Sequence, residues 1–276
     1  MDGILLVKKE AGMTSHDVVD HLRRILHMKK IGHTGTLDPE ATGVLMVLVG
    51  KACKALPYLG MQDKRYVATM ELGYSTETED IWGAKVAEQA ILPIADFAGL
   101  LKRFVGRQQQ IPPMYSSIKV NGRKLYEYAR KGEYVERKPR DIEIFDIKML
   151  DENKLCFEVA CSSGTYIRTL CTDIAAASGN LGVMSSLVRT AIGPFTLDMC
   201  ATLDEIKAGR FTLHSVLKAL SHYEILQRPM DRDVLNGRRI VLDTTADEVL
   251  IADGDLAVAI YQRESGNQFR CVRGLW

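Results

Sequence analysis

The stretch from Gly32 to Gly43, GHTGTLDPEATG, concentrates what a catalytic loop needs: glycines, one proline and two carboxylates, Asp38 and Glu40, ahead of a strongly apolar run. A glycine-rich turn that ends in a buried strand can hold one side chain exposed and in fixed orientation. An ionised carboxylate held that way can act as a nucleophile or stabilise positive charge. Asp38 precedes Pro39, which biases it toward extended backbone. The same residue types also build a plain capped turn, and spacing alone leaves both readings open. A second irregular turn, Cys161–Leu170 (CSSGTYIRTL), carries Tyr166 and Arg168 where an alternating strand gives way to a helical pattern. Arg168 stands among apolar neighbours, so its guanidinium either reaches solvent or needs an acidic partner.

Other chemistries find less support. The glycine spacing matches neither GxxxxGK[ST] nor GxGxxG, so no nucleotide-phosphate loop is expected. The six cysteines form no CxxC pair and show no Cys/His spacing suited to zinc; they read as small apolar fillers, and no metal site is expected. With 36 Lys+Arg against 35 Asp+Glu, the chain does not coat nucleic acid by bulk charge, although a local basic surface remains open. Such a surface is visible from Lys119 to Arg140, where eight Lys/Arg and three Glu interleave with Tyr126, Tyr128 and Tyr134. It could follow a phosphate backbone while its rings stack on bases, or be a solvated face.

The elements that position these residues follow from periodicity. Val18, Val19, Leu22, Ile25 and Leu26 predict a helix over 17–28 behind the capping candidates Thr14 and Ser15. Val44–Val49 reads as a buried strand. Residues 65–72 alternate, which places Tyr66 on one face with Ala68, Met70 and Leu72. A helix is expected over 96–105, a strand over 155–161, and a helix through Ile167, Leu170, Cys171 and Ile174 that closes at Gly179. Beyond about residue 222, short strands at 249–251 and 256–261 flank a hairpin turn. The class expected is α+β: a mixed, mainly antiparallel central sheet flanked by helices and loops, with a boundary near 222 and a small β-rich module after it.

Five blocks carry a resemblance: GHTGTLDPEATGVL (32–45), KRYVATMELG (64–73), PPMYSSIKVNGRKLYEYARKG (112–132), CSSGTYIRTL (161–170) and LVRTAIGPF (187–195). In this order they resemble the signature blocks of the TruB family, bacterial tRNA pseudouridine synthases that act on uridine 55 of the T-loop. The resemblance implies a pseudouridine synthase domain over 1–222, with 119–140 as an RNA-contacting insertion and 223–276 in the place of a PUA-like module. It makes Asp38 the catalytic aspartate, Arg168 its cationic partner and Tyr66 the ring that stacks on the target base. It also places His33, Tyr166, Leu187 and Lys64 at the substrate, and Lys119, Arg123, Lys124, Arg130 and Lys131 along the RNA. Lys8, Lys9, Lys29, Lys30 and Arg65 would extend that basic surface. Reaching a stacked base requires flipping it out, at a cost of a few kcal/mol. The isomerisation conserves atoms, so no cofactor is implied.

The expected partner is the tRNA T-arm, bound by a monomer without guide RNA. A guide-dependent relative, an RNA chaperone without essential chemistry, and a hydrolase using Glu40 to activate water are the alternatives. The longest apolar run, Val44–Val49, is far below the ~20 residues of a membrane span. No secretory signal is expected in MDGILLVKKEAG, which leaves the cytoplasm as the expected location.

Overall fold

The computed structural model describes residues 1–60 and 62–276. In chain order the first elements are β1 (Gly3–Lys9), α1 (Ser15–Ile25), β2 (Ile31–Thr34) and β3 (Thr42–Val49), followed by a 3₁₀ stretch, Gly50–Tyr58. Next come β4 (Lys64–Leu72), β5 (Tyr74–Thr76), β6 (Lys85–Glu88), α2 (Phe97–Lys102) and β7 (Gly106–Gln110). The short β8 (Lys119–Val120), β9 (Arg123–Lys124) and α3 (Leu125–Ala129) precede β10 (Arg140–Asp151), β11 (Cys156–Cys161), α4 (Ile167–Ala177) and β12 (Gly182–Ile192). The chain continues through β13 (Phe195–Thr196), α5 (Leu203–Lys207), β14 (Leu213–His214), β15 (Glu224–Gln227) and α6 (Arg232–Leu235). It ends with β16 (Ile240–Val241), β17 (Glu248–Asp253), β18 (Leu256–Ser265) and β19 (Gln268–Gly274). Among the described residues no helix is long and apolar enough to cross a membrane.

These elements fall into two units, one made of Met1–Gln62 with Ala191–Trp276 and the other of Asp63–Thr190. In the first, β1 pairs antiparallel with both β3 and β14, and β2 pairs antiparallel with β3. β3 is an unbroken apolar run because both of its faces are covered. Val44, Met46 and Leu48 enter one buried cluster, together with Ile4, Leu6, Phe195 and Leu220. Leu45, Val47 and Val49 enter another, with Leu5, Val7, Val18, Val19, Leu22 and Ile206. Each such side chain withdrawn from water contributes about 1.5–3 kcal/mol. Leu250, Ala257, Ile260 and Leu275 of the C-terminal sheet, ordered β15-β17-β18-β19-β16, share the first cluster.

In the second unit the strand order is β12-β4-β11-β10-β7. The β4–β11, β11–β10 and β10–β7 pairs are antiparallel. Tyr66, Ala68 and Met70 are buried on one face of β4, as the alternation predicts. The α+β class and its mixed, mainly antiparallel sheets agree with the sequence reading; the β15–β17 pair is parallel.

Helix ends differ from expectation for local reasons. α1 begins two residues early because Thr14 forms a capping box with Asp17. It ends before Met28, where His27 takes φ +51°. α2 stops at Lys102 because Arg103, Phe104 and Val105 donate three residues back and Gly106 then takes φ +111°. Gly179, at φ +79°, terminates α4 as expected.

Candidate active site

The loop between β2 and β3 is fixed by the backbone around Asp38. On one side the Leu37 N–H donates to Ser15 Oγ at 2.9 Å, and the Ser15 hydroxyl returns a bond to the Leu37 carbonyl at 3.2 Å. On the other side Lys9 Nζ donates to the carbonyls of Pro39 and Ala41, both at 2.7 Å, and of Glu10 at 2.9 Å. The Gly12 N–H also reaches the Pro39 carbonyl, and the Ala41 N–H closes a turn onto the Asp38 carbonyl, each at 3.1 Å. Leu37 and Ala41 are buried, while Asp38 is half-buried. The loop therefore grips the core through its flanks, on either side of Asp38. Lys9, expected on the basic surface, is only 1% exposed. A buried ammonium needs acceptors for its three N–H groups, and the loop carbonyls supply them. His33 lies on β2, opposite Val47 of β3.

The other site residues belong to the second unit. Arg168 is the second residue of α4 and is buried. Its Nη1 donates to the Thr78 carbonyl at 2.7 Å and its Nη2 to the Tyr115 carbonyl at 2.8 Å, while Nε lies 3.9 Å from Asp80 Oδ2. Asp80 is itself oriented: its Oδ1 accepts from the Thr78 hydroxyl at 2.6 Å and the Trp82 N–H at 3.1 Å. The segment around it is tied to β12, since the Ile81 N–H reaches the Met184 carbonyl and the Met184 N–H reaches that of Glu79. Thr169 Oγ1 donates to Glu79 Oε2 at 2.6 Å, joining the same segment to α4; burial pushes the Glu79 carboxyl up from its ordinary value. Tyr166 is half-buried, with its backbone held twice by the buried Gln110: Oε1 accepts from its N–H at 2.8 Å, and Nε2 donates to its carbonyl at 3.0 Å.

Lys64 and Tyr66 are two apart on β4 and share a face. Lys64 Nζ donates to Ser163 Oγ at 2.9 Å, and burial, then repulsion from Arg189, lower its ammonium to about 8. Leu187 is buried on β12. A cavity of about 570 Å³ lined by Thr69, Glu71, Lys154 and Ser185 lies toward the other end of β4 and contains none of these residues.

The basic stretch is a short hairpin and a helical turn. Asn121 and Gly122, at φ +50° and +82°, connect β8 to β9. Arg123 lies 4.1 Å from the Tyr128 ring centre, and Lys124 and Arg130 each lie 5.4 Å from that of Tyr126. Tyr128 departs from the expectation of a base-stacking ring: it is buried, and its hydroxyl donates to the Val120 carbonyl. Lys119, Arg130, Lys131 and Tyr134 are exposed.

The residues that sequence reasoning missed are Lys9 in this role, Ser15, Asp80 and Gln110. Ser15 stood out only as a capping candidate, and Asp80 did not stand out at all. The partners that matter here lie 22 to 88 residues away, so local pattern carried no trace of them.

Two family profiles match the chain. Residues 23–167 match the TruB family pseudouridylate synthase N-terminal domain, and residues 168–232 match the tRNA pseudouridylate synthase B C-terminal domain. The tRNA pseudouridine synthase B of Oceanobacillus iheyensis is 42% identical, over 97% of this chain and 95% of that protein. That of Bacillus subtilis is 44% identical, over 96% and 91%. The chain belongs to the TruB family. It is an isomerase of the pseudouridine synthase type. The fold is shared more widely: a Cbf5 structure in complex with Nop10 and Gar1 matches with a TM-score of 0.74 at 25% identity, over 99% of this chain and 85% of that one. The TruB blocks account for Asp38, Tyr66 and Arg168; the clamps formed by Lys9, Ser15, Asp80 and Gln110 are what hold two of these, and Tyr166, in place.

Proposed function

We propose that this TruB-family chain converts uridine 55 in the T-loop of tRNA to pseudouridine. In that reaction the C1′–N1 bond breaks, the freed uracil turns in place, and C1′ bonds to C5. N1 gains a proton and C5 loses one, so the product has the mass of the substrate. Asp38 supplies the carboxylate that carries the exchange, Arg168 the cation that orients it, and Tyr66 the ring that holds the base. His33, Tyr166, Leu187 and Lys64 line the nucleoside. Lys119, Arg123, Lys124, Arg130 and Lys131 contact phosphates and help offset the cost of extrusion. The enzyme works as a cytoplasmic monomer on bare tRNA, with 1–222 as the catalytic domain and 223–276 as a PUA-like module.

The observation that carries this reading is the Asp38 loop, whose backbone is held on both sides of the carboxylate by Ser15 and Lys9. A nucleophile that must meet an extruded nucleoside benefits from being fixed beforehand. A chaperone would gain nothing from such a device. The test is mass analysis of tRNA after incubation with the protein and no other factor, with the modified position mapped by carbodiimide-dependent primer extension. Unchanged mass and a stop at uridine 55 are expected. An abasic product would assign hydrolysis instead, and a requirement for a guide RNA would overturn the substrate assignment.

A further inference from the structure

Five cations gather at the end of the β2–β3 hairpin remote from the Asp38 loop. Lys29 and Lys30 precede β2, Lys51 and Lys54 follow β3, and Arg273 lies on β19. Backbone contacts bring them together. The Gly50 N–H donates to the Lys30 carbonyl at 2.8 Å, and Cys53 Sγ donates to the same oxygen. Lys54 Nζ donates to the backbone oxygen of Trp276, whose ring lies against Gly274, next to Arg273. Lys29, Lys30, Lys51 and Arg273 are exposed, and Lys54 is half-buried.

Apart from the Trp276 oxygen that Lys54 bonds and the Asp2 carboxylate nearby, little within the protein offsets their charge. The neighbouring Asp2 carboxylate accepts from the Lys51 N–H, and among the described residues no side-chain carboxylate forms an ion pair with any of the five. Other C-terminal arginines behave differently: Arg228, Arg238, Arg239 and Arg263 are paired with Asp231, Asp233, Glu264 and Asp247. Partial desolvation, then repulsion from Lys30, Arg273 and Lys51, holds the Lys54 ammonium below its ordinary range. Like charges crowded without compensation oppose folding, and a polyanion relieves them.

The cluster is also far from the chemistry. β3 runs from Thr42, beside the Asp38 loop, to Val49, beside the cluster. Its seven residue steps span about 23 Å at the usual strand rise.

We infer that Lys29, Lys30, Lys51, Lys54 and Arg273 form a second phosphate-binding surface, which grips the RNA backbone outside the loop that holds the reacting nucleotide. This rests on the tRNA reading above. It gives the C-terminal sheet a part in binding through one arginine, although acidic residues outnumber basic ones beyond residue 222.

The test is a triple variant of exposed positions, K30A/K51A/R273A, in the full chain, with circular dichroism to confirm folding. Affinity is measured against full-length tRNA and an isolated T-arm stem–loop over a series of salt concentrations. A second triple variant of exposed lysines elsewhere, K102A/K148A/K207A, controls for bulk charge. For full-length tRNA the cluster variant is expected to lose about tenfold or more in affinity near ~100 mM salt, and its log–log salt slope to fall by about two to three. Stem–loop binding should stay within about twofold. Unchanged affinity and slope for full-length tRNA would overturn the inference, as would equal losses on both RNAs or an equal loss in the control variant. C5-tritium release by the wild-type protein, followed in the same preparations, reports separately on the pseudouridylation reading.

Discussion

Arg168 is held by three groups from two segments of the second unit: the Thr78 carbonyl and Asp80 carboxylate on one, and the Tyr115 carbonyl on the other. The two carbonyls fix the plane of the guanidinium, and Asp80 supplies the nearby negative charge. Asp80→Asn keeps the shape and removes that charge, so Arg168 loses the Asp80 counter-charge while its two carbonyl bonds and the fold persist. The expected result is a fall in kcat of about tenfold or more, equivalent to at least ~1.4 kcal/mol in the barrier, with KM changed far less. Steady-state kinetics on tRNA would show it, and an unchanged kcat would contradict the positioning role. Lys64 offers a test through pH. Burial lowers its ammonium from 10.5 to about 8 in the folded protein, so between those values the unfolded chain binds more protons and stability rises with pH. Lys64→Met removes that dependence. Denaturant melts at about pH 7 and about pH 9 should show the wild type gaining relative to the variant at the higher pH. Cys161, pushed up to about 11 by burial, acts in the opposite sense only above its ordinary value of 9.0, so the comparison stops at about pH 9. Parallel behaviour of the two proteins would show that Lys64 titrates normally.

At the scale of elements, the Asp38 loop is a connection between two strands that has been tied to a third strand and a helix. β1 contributes Lys9, and the first turn of α1 contributes Ser15. Lys9→Met would leave the Ala41 carbonyl without its buried donor, at about 1–3 kcal/mol, while the Pro39 carbonyl keeps only the Gly12 N–H. Ser15→Ala would strand the Leu37 N–H in the same way. Both variants should lower kcat more than tRNA affinity, and Lys9→Met should also lower the thermal midpoint; full activity in either would mean the loop needs no clamp. The alternation that buries Tyr66, the apolar run of β3 and the turn at Gly179 were all readable, because each is a local pattern imposed by strand or helix period. The clamps were not, because a hydrogen bond between residues 22 or more apart leaves no local signature. Arg168 was half legible: its apolar surroundings demanded either solvent or an acid, and only the fold shows that Asp80 lies beside it.

At the scale of the whole molecule, the segment beyond residue 222 forms its own five-stranded sheet yet shares a buried cluster with β1 and β3. Ending the chain at residue 222 would remove Leu250, Ala257, Ile260 and Leu275 from the cluster that holds Ile4, Leu6, Val44 and Met46, and losing several such buried side chains costs about as much as the stability of a typical domain. The truncated chain is therefore expected to aggregate or melt well below the full protein in a thermal scan; an unchanged midpoint would show that the cluster closes without the C-terminal sheet. The shared core was not legible, since it joins residues more than 200 positions apart. In the proposed reaction the carboxylate on the clamped loop performs the base exchange. The most direct measurement is tritium release from tRNA labelled at uridine C5, comparing the wild-type protein with Asp38→Asn under single-turnover conditions alongside a tRNA-binding assay. Release of tritium by the wild type, none by the variant, and retained tRNA binding by both are predicted. Release by the variant at a rate near that of the wild type would contradict the account.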